Sequence, residues 1–328
     1  MPDFLPKDFR FSHNFAFFLH DMLAGMIVEG EKADIFNVSF KFQSEDEATA
    51  FGNLNHEELW EWLATNDKLS HYTLIYKQIC LALLSDFCHF VYEGLQCSKK
   101  GKLSVAYSLL RKPFKDNLLI FEWLLAEPAD FIEKFYNEDP SVYAPQKLSP
   151  ERKLKLISAA LQKTNSCKSF EADFIYDLRY SRTAQYGLAR AWDQATHLVT
   201  TFEQIKTTPQ NFNFVFRNHE AEYSQWQGLY TCIPYLLFYT VGVVEAVIAT
   251  FATRADAEGD MFPTRAGVGF ALWTKSVRRE KSQSLDFLME PLDCPYCDKK
   301  ISFGLRNMKA LYERSEIKCY SCKAVVCI

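Results

Sequence analysis

Cys294-Pro295-Tyr296-Cys297 and Cys319-Tyr320-Ser321-Cys322 form two C-x-x-C pairs separated by twenty-one residues, and no other feature of the chain restricts its fold so tightly. A C-x-x-C turn aims two thiolates at one point, and two such turns complete a tetrahedron whose metal–sulfur bonds are about 2.3 Å long. With four protein sulfurs no position is left for water. The spacing therefore predicts one structural Zn²⁺ held by Cys294, Cys297, Cys319 and Cys322, which supplies folding energy to a segment too small for a core of its own.

The stretch Pro291–Ile328 resembles the zinc ribbons, and the resemblance implies a β-hairpin module that binds nucleic acid or a protein partner and carries no catalysis. The tetrad Cys-Pro-Tyr-Cys also matches the active-site motif of glutaredoxins. That motif works between a strand and a helix with most of its domain downstream, whereas only 31 residues follow Cys297, and they include the second pair. Cys327 reads as a spare strand residue.

From Pro291 on there are seven basic and four acidic residues. Four thiolates around one Zn²⁺ remove two charges, leaving a mildly basic surface that permits phosphate contacts without demanding them. Lys299, Lys300 and Arg306, with Arg278 and Arg279 upstream, are the candidate contacts. The whole chain carries a formal charge of −4 and a pI near 6.0, so any binding to nucleic acid is local.

Residues 1–69 read as a mixed α/β segment, 70–274 as a helical domain, 275–290 as a basic linker and 291–328 as the ribbon; 328 residues suit about two domains. The expected class is mainly α, a multi-helix body with a small α+β N-terminal segment and a C-terminal β-hairpin ribbon. Aromatic residues make up 15% of the chain and recur at helical spacing, as core rings do. A short aromatic helix is expected over Ser12–Leu23. The alternation in Asp34–Phe42 suits a strand. Ser44 with Glu47, and Asn55 with Glu58, mark two capped helix starts.

A helix with one apolar stripe runs from Tyr72 to Val91, burying Cys80 and Cys88. Another spans Leu103–Ala126, kinked at Pro113. Ser149-Pro150 opens a further helix, and others are expected over Phe170–Arg179, Gln185–Thr201 and Ala221–Ala252, with an Asn-rich loop at Thr207–Arg217 and a polar linker at Lys275–Ser284. Leu229–Val244 is uncharged over sixteen residues. A bilayer span needs about twenty, and Pro234 and Glu245 interrupt the run, so a buried core helix is expected and no membrane partner. No secretory signal is evident at Met1–Phe11, which implies a cytoplasmic protein whose cysteines are thiols or metal ligands.

The helical body offers one suggestive constellation. Arg190 and His197 are seven apart, on one side of a continuous helix, with Asp193 and Gln194 between them. An Arg followed by four to six residues and then a His resembles the signature of the HEPN superfamily. That resemblance, over residues 70–253, implies a homodimeric, metal-independent endoribonuclease of the bacterial conflict type. His197 would move the 2′-OH proton, Arg190 would stabilise the phosphorane and Asp193 would share the site. The plain alternative is a solvated face with an Arg190–Asp193 pair.

Arg179, Arg182, Arg217 and His219 are further candidates for a phosphate site. No phosphate-binding glycine loop, H-E-x-x-H, nucleophile elbow or kinase motif is present. The leading expectation is an intracellular protein whose zinc ribbon binds nucleic acid or a protein. The alternatives are the HEPN-like ribonuclease and a structural assembly subunit.

Overall fold

A computed structural model describes residues 4–39, 41–164, 170–215, 219–252, 262–278 and 292–327. The first helix, α1 (Arg10–Lys32), is longer than the aromatic stretch that announces it. The chain then turns at Ala33–Phe36 instead of entering a strand. Gly30 explains the turn, because a Cβ there would stand 2.5 Å from the Phe36 ring, so only glycine lets that ring fold back onto α1. Phe36 is buried and Lys77 Nζ donates to the Asn37 carbonyl at 2.7 Å. No strand partner lies beside this segment among the described residues, and an isolated strand leaves its backbone unpaired. The α+β expectation for the N-terminal segment is therefore corrected to helix and turn.

Both predicted caps form. Ser44 Oγ accepts from Glu47 N–H at the start of α2 (Glu45–Gly52), and Asn55 with Glu58 builds a complete capping box on α3 (His56–Asn66). The next helix, α4 (Lys68–Lys99), pairs with α5 (Leu103–Lys112) across a tight turn. Cys80 and Cys88 are buried in α4, and burial pushes both thiols up to about 12, which keeps them protonated and inert. None of the nine described cysteines forms a disulfide.

Pro113 interrupts the next segment as its missing N–H requires. The helix widens into a π turn over Pro113–Asn117 before resuming as α6 (Leu118–Ala126). Beyond α7 (Pro128–Asn137) and α8 (Pro150–Gln162, capped by Ser149) comes α9 (Ala172–Tyr180), which ties itself to the π turn. Arg179 Nε donates to the Phe114 carbonyl at 2.6 Å, and Tyr180 Oη donates to the Lys115 carbonyl at 2.9 Å. The same guanidinium meets Glu122 Oε1 at 2.5 Å, with both side chains fully buried, and Tyr239 Oη donates to that oxygen at 2.9 Å. Burial drives the Glu122 carboxyl above its usual range even though Arg179 opposes the shift.

The body closes with α10 (Leu188–Thr196), α11 (His219–Ala249) and α12 (Phe262–Arg278). α4 and α11 are each long and apolar enough to cross a membrane by length and composition alone. α11 nevertheless buries Ile233, Leu236, Val243, Val244 and Val247 within the bundle, packed against α1, α6 and α12. A polar chain crosses the same core: Tyr230 of α11 bonds His13 of α1 at 2.7 Å and Ser98 of α4 at 2.9 Å. Lys275–Arg278, expected in the linker, end α12, and the remainder of the linker lies outside the described residues.

Arg179→Met leaves Glu122 buried without its cation and is expected to cost about 3–5 kcal/mol in urea denaturation. Glu122→Leu combined with Arg179→Met restores most of that loss; a double variant as weak as the single one contradicts the pairing. At the α7–α8 corner, hydrogen bonds from Arg152, helped by Lys155, hold the Glu127 carboxyl down to about 2. A carboxyl that ionises more readily folded than unfolded stabilises above about pH 4.5 and loses that contribution as pH falls toward 2. Glu127→Gln is thus expected to lose about 1–2 kcal/mol at pH 7, allowing for solvent screening, and nearly nothing at pH 2.

Candidate metal centre

The C-terminal module is built from two small hairpins and a helix between them. β1 (Leu292–Asp293) pairs antiparallel with β2 (Lys300–Ile301), then α13 (Leu305–Arg314) intervenes, and β3 (Glu316–Lys318) pairs with β4 (Val325–Cys327). The expected β-hairpin ribbon is built as two hairpins, each carrying one C-x-x-C pair at its tip. The two tips repeat one backbone pattern. Cys294 N–H donates to the Lys299 carbonyl and Cys319 N–H to the Ala324 carbonyl; Asp298 N–H returns to Cys294 and Lys323 N–H to Cys319, each at 2.9 Å. The residue after each pair, Asp298 or Lys323, takes a left-handed conformation, which turns the backbone back beneath the sulfurs.

The four thiols lie within 4.8 Å of one another. Cys294 and Cys322 sulfurs are 3.6 Å apart and Cys297 and Cys319 sulfurs 3.7 Å. Metal–sulfur bonds of about 2.3 Å give a tetrahedral edge of about 3.8 Å, so the quartet has the dimensions of a cation-centred tetrahedron. The backbone N–H groups of Cys322 and Ser321 hold the Cys319 thiol down to about 6, already favouring the ligating thiolate. Cys297 differs: the Lys299 N–H pulls its thiol down, but burial and the neighbouring sulfurs push it up to about 12, because a further negative sulfur in the cluster needs a cation to accompany it. Cys327, on β4, is exposed and stands outside the quartet.

Asn307 holds the hairpins in register. Its side chain is buried, donates to the carbonyls of Ser302 and Lys318, and accepts from Lys318 N–H at 2.9 Å. The module is also welded to the body, since Ile301, Phe303, Met308, Leu311 and Ile317 join the same apolar core as the helices. Tyr312 is the plug, with ring contacts to Phe11, Phe15 and Phe18 of α1. Arg265 of α12 donates to the Tyr312 carbonyl at 3.0 Å. Gly269 admits this close approach, because a Cβ there would stand 2.6 Å from Phe15 and 2.8 Å from Tyr312.

The constellation in the body does not assemble as the sequence implied. α10 stops at Thr196, and His197 is extended, with its N–H closing the helix on the Asp193 carbonyl. Arg190 and His197 consequently share no helical face. The Arg190 guanidinium donates to the Arg182 and Thr183 carbonyls, and Asp193 pairs with Arg182 at 2.8 Å in place of the expected Arg190 partner. The helix ends early because Asn213, sixteen residues on, reaches back: its Nδ2 donates to the His197 carbonyl and its N–H to Leu198. Arg179 is consumed by Glu122. Lys299, Lys300 and Arg306 are exposed on the module, whereas Arg279 and Arg217 lie outside the described residues, as does the side chain of Arg278. His219 opens α11.

Spacing identified the four sulfurs. Gly269 and Tyr312 carried no readable signal, because their partners on α1 are distant in sequence. Asn307→Ala would remove three hydrogen bonds, to the Ser302 carbonyl and to both backbone groups of Lys318, and a loss of about 1–3 kcal/mol is expected in denaturation followed by metal release; a loss below about 0.5 kcal/mol contradicts the clamp. Comparison of the chain with protein-family models, curated proteins and solved structures finds no match.

Proposed function

We propose that the ion of the four-cysteine centre is Zn²⁺ and that the module is the surface through which the protein binds single-stranded nucleic acid in the cytoplasm. One observation carries the reading. Tyr296 and Tyr320, one inside each C-x-x-C turn, are 70% and 44% exposed, and since both turns converge on one centre the two rings share one end of the module. Lys299, Lys300, Lys318 and Lys323 bracket the turns, and Arg306 and Lys309 stand exposed on α13. None of these six cations has an ion pair among the described residues. Arg314, by contrast, is bound to Glu316 and Glu313.

Exposed rings among unpaired cations suit a strand whose bases stack and whose phosphates displace counterions; each stacked base is worth about 1–3 kcal/mol and tolerates any sequence. Elsewhere on the module Tyr312 packs on α1 and α13 contacts α12, while Tyr296, Tyr320 and Cys322 stay exposed. A protein partner is the competing reading and is separated by salt, because a phosphate-driven complex weakens steeply between about 50 and 200 mM salt.

Tyr296→Ala with Tyr320→Ala is expected to weaken binding of a fluorescent oligouridylate at least ten-fold in anisotropy titrations while leaving the metal content unchanged. Equal affinity of variant and wild type, or binding indifferent to salt, contradicts the nucleic-acid reading.

A further inference from the structure

A pocket lies in the helical body, far in sequence from the C-terminal module and independent of what that module binds. α10 packs on α5, with Ser108 Oγ donating to the Ala195 carbonyl at 3.2 Å, and the chain that follows α10 returns to this seam. Asn213 pins the return. Its N–H donates to the Leu198 carbonyl, its Nδ2 to the His197 carbonyl and the Thr200 hydroxyl, and its Oδ1 accepts from the Thr207 hydroxyl at 3.1 Å. The result is a pocket of about 180 Å³ bordered by three parts of the chain: Ser104 from α5, Gln194 from α10, and His197, Leu198, Phe214 and Val215 from the returning segment.

The lining carries two signals. The side chains of Ser104, Gln194 and His197 have no hydrogen bond or ion pair among the described residues, so three unspent polar groups from separate elements border one hollow. Leu198 and Val215 stand exposed at the same place, and an apolar wall with a few placed polar groups is the make-up of a small-molecule site. The second signal is backbone strain. Phe214 has a φ of 58°, a left-handed conformation that bulky side chains rarely take. Such strain persists only where surrounding contacts impose it, and it gathers at ligand sites. Here the bonds of Asn213 impose it, and they hold the Phe214 ring in the pocket wall, 5.8 Å from the Tyr107 ring. Tyr107 is itself anchored, its hydroxyl donating to the Gln225 carbonyl at 2.7 Å.

No Asp, Glu, Lys or Arg lines the pocket, which selects an uncharged ligand, since a charge would lose water there without gaining a counterion. The volume falls below the about 300–1,000 Å³ of sites for drug-sized molecules, so it holds one ring system. A carboxamide presents a donor and an acceptor side by side, the pairing with which Gln reads the edge of adenine. The aromatic and aliphatic walls suit the flat faces of the same ring. We propose that this pocket binds a single purine base, with Gln194 pairing along its edge, Ser104 and His197 meeting its other polar atoms and Phe214 packing on the ring. The base belongs either to a free nucleoside or to a single strand.

The test uses the full-length, metal-loaded protein with adenosine as the probe, titrated by calorimetry. Saturable binding is expected where ribose gives none. Gln194→Leu weakens it roughly ten-fold or more, as loss of a two-bond contact to a base does, and Ser104→Ala weakens it to a smaller extent. Both positions are half-buried, where folding is not at risk. Tetra-adenylate is then titrated into the chain carrying Tyr296→Ala and Tyr320→Ala, so that the rings of the module contribute nothing. Affinity no higher than that of adenosine supports the pocket with a free nucleoside as its ligand, and higher affinity supports it with a base on a strand. Adenosine binding no better than ribose, or full affinity in folded Gln194→Leu and Ser104→Ala variants, overturns the assignment.

Discussion

Four sulfurs within 4.8 Å of one another can ionise together only around a cation, because their mutual repulsion at that distance has no other relief. The geometry of the C-terminal module follows from this constraint. Its strands are two or three residues long, far too short to hold a sheet alone, and each hairpin tip exists to turn two sulfurs inward. Asn307 transmits the constraint from one hairpin to the other, and Tyr312 transmits it to α1. The module is thereby a continuation of the body's core, not an appendage on a tether.

The body has its own organising event at Pro113. A proline inside a helix removes one donor and opens the turn, and here the carbonyls of Phe114 and Lys115 accept from Arg179 and Tyr180. That arrangement draws a guanidinium into the core, where it also donates to Glu122 and to the Tyr180 hydroxyl. One local irregularity accounts for the place of the buried ion pair.

What could be read in advance follows the range of the interactions. The two C-x-x-C turns, the capping residues Ser44 and Asn55, the interruption at Pro113 and the helical stripe of α4 are local patterns written within a few residues, and each appears where the spacing put it. Asp34–Phe42 has the alternation of a strand, but Gly30 and the Phe251 ring give Phe36 a better burial than a sheet edge would. His197 has helical spacing from Arg190, yet Asn213 captures its carbonyl from sixteen residues away. Gly269 and Tyr312 draw their meaning from α1, which only the folded chain brings near.

The most direct measurement is the metal content of the purified chain, read by plasma mass spectrometry together with the spectrum of its cobalt-substituted form. One zinc per chain, and cobalt bands of a tetrahedral four-thiolate site that vanish in Cys319→Ser, are the predicted results. A chain that carries no stoichiometric metal yet keeps the module's amides protected from hydrogen exchange would contradict the central claim.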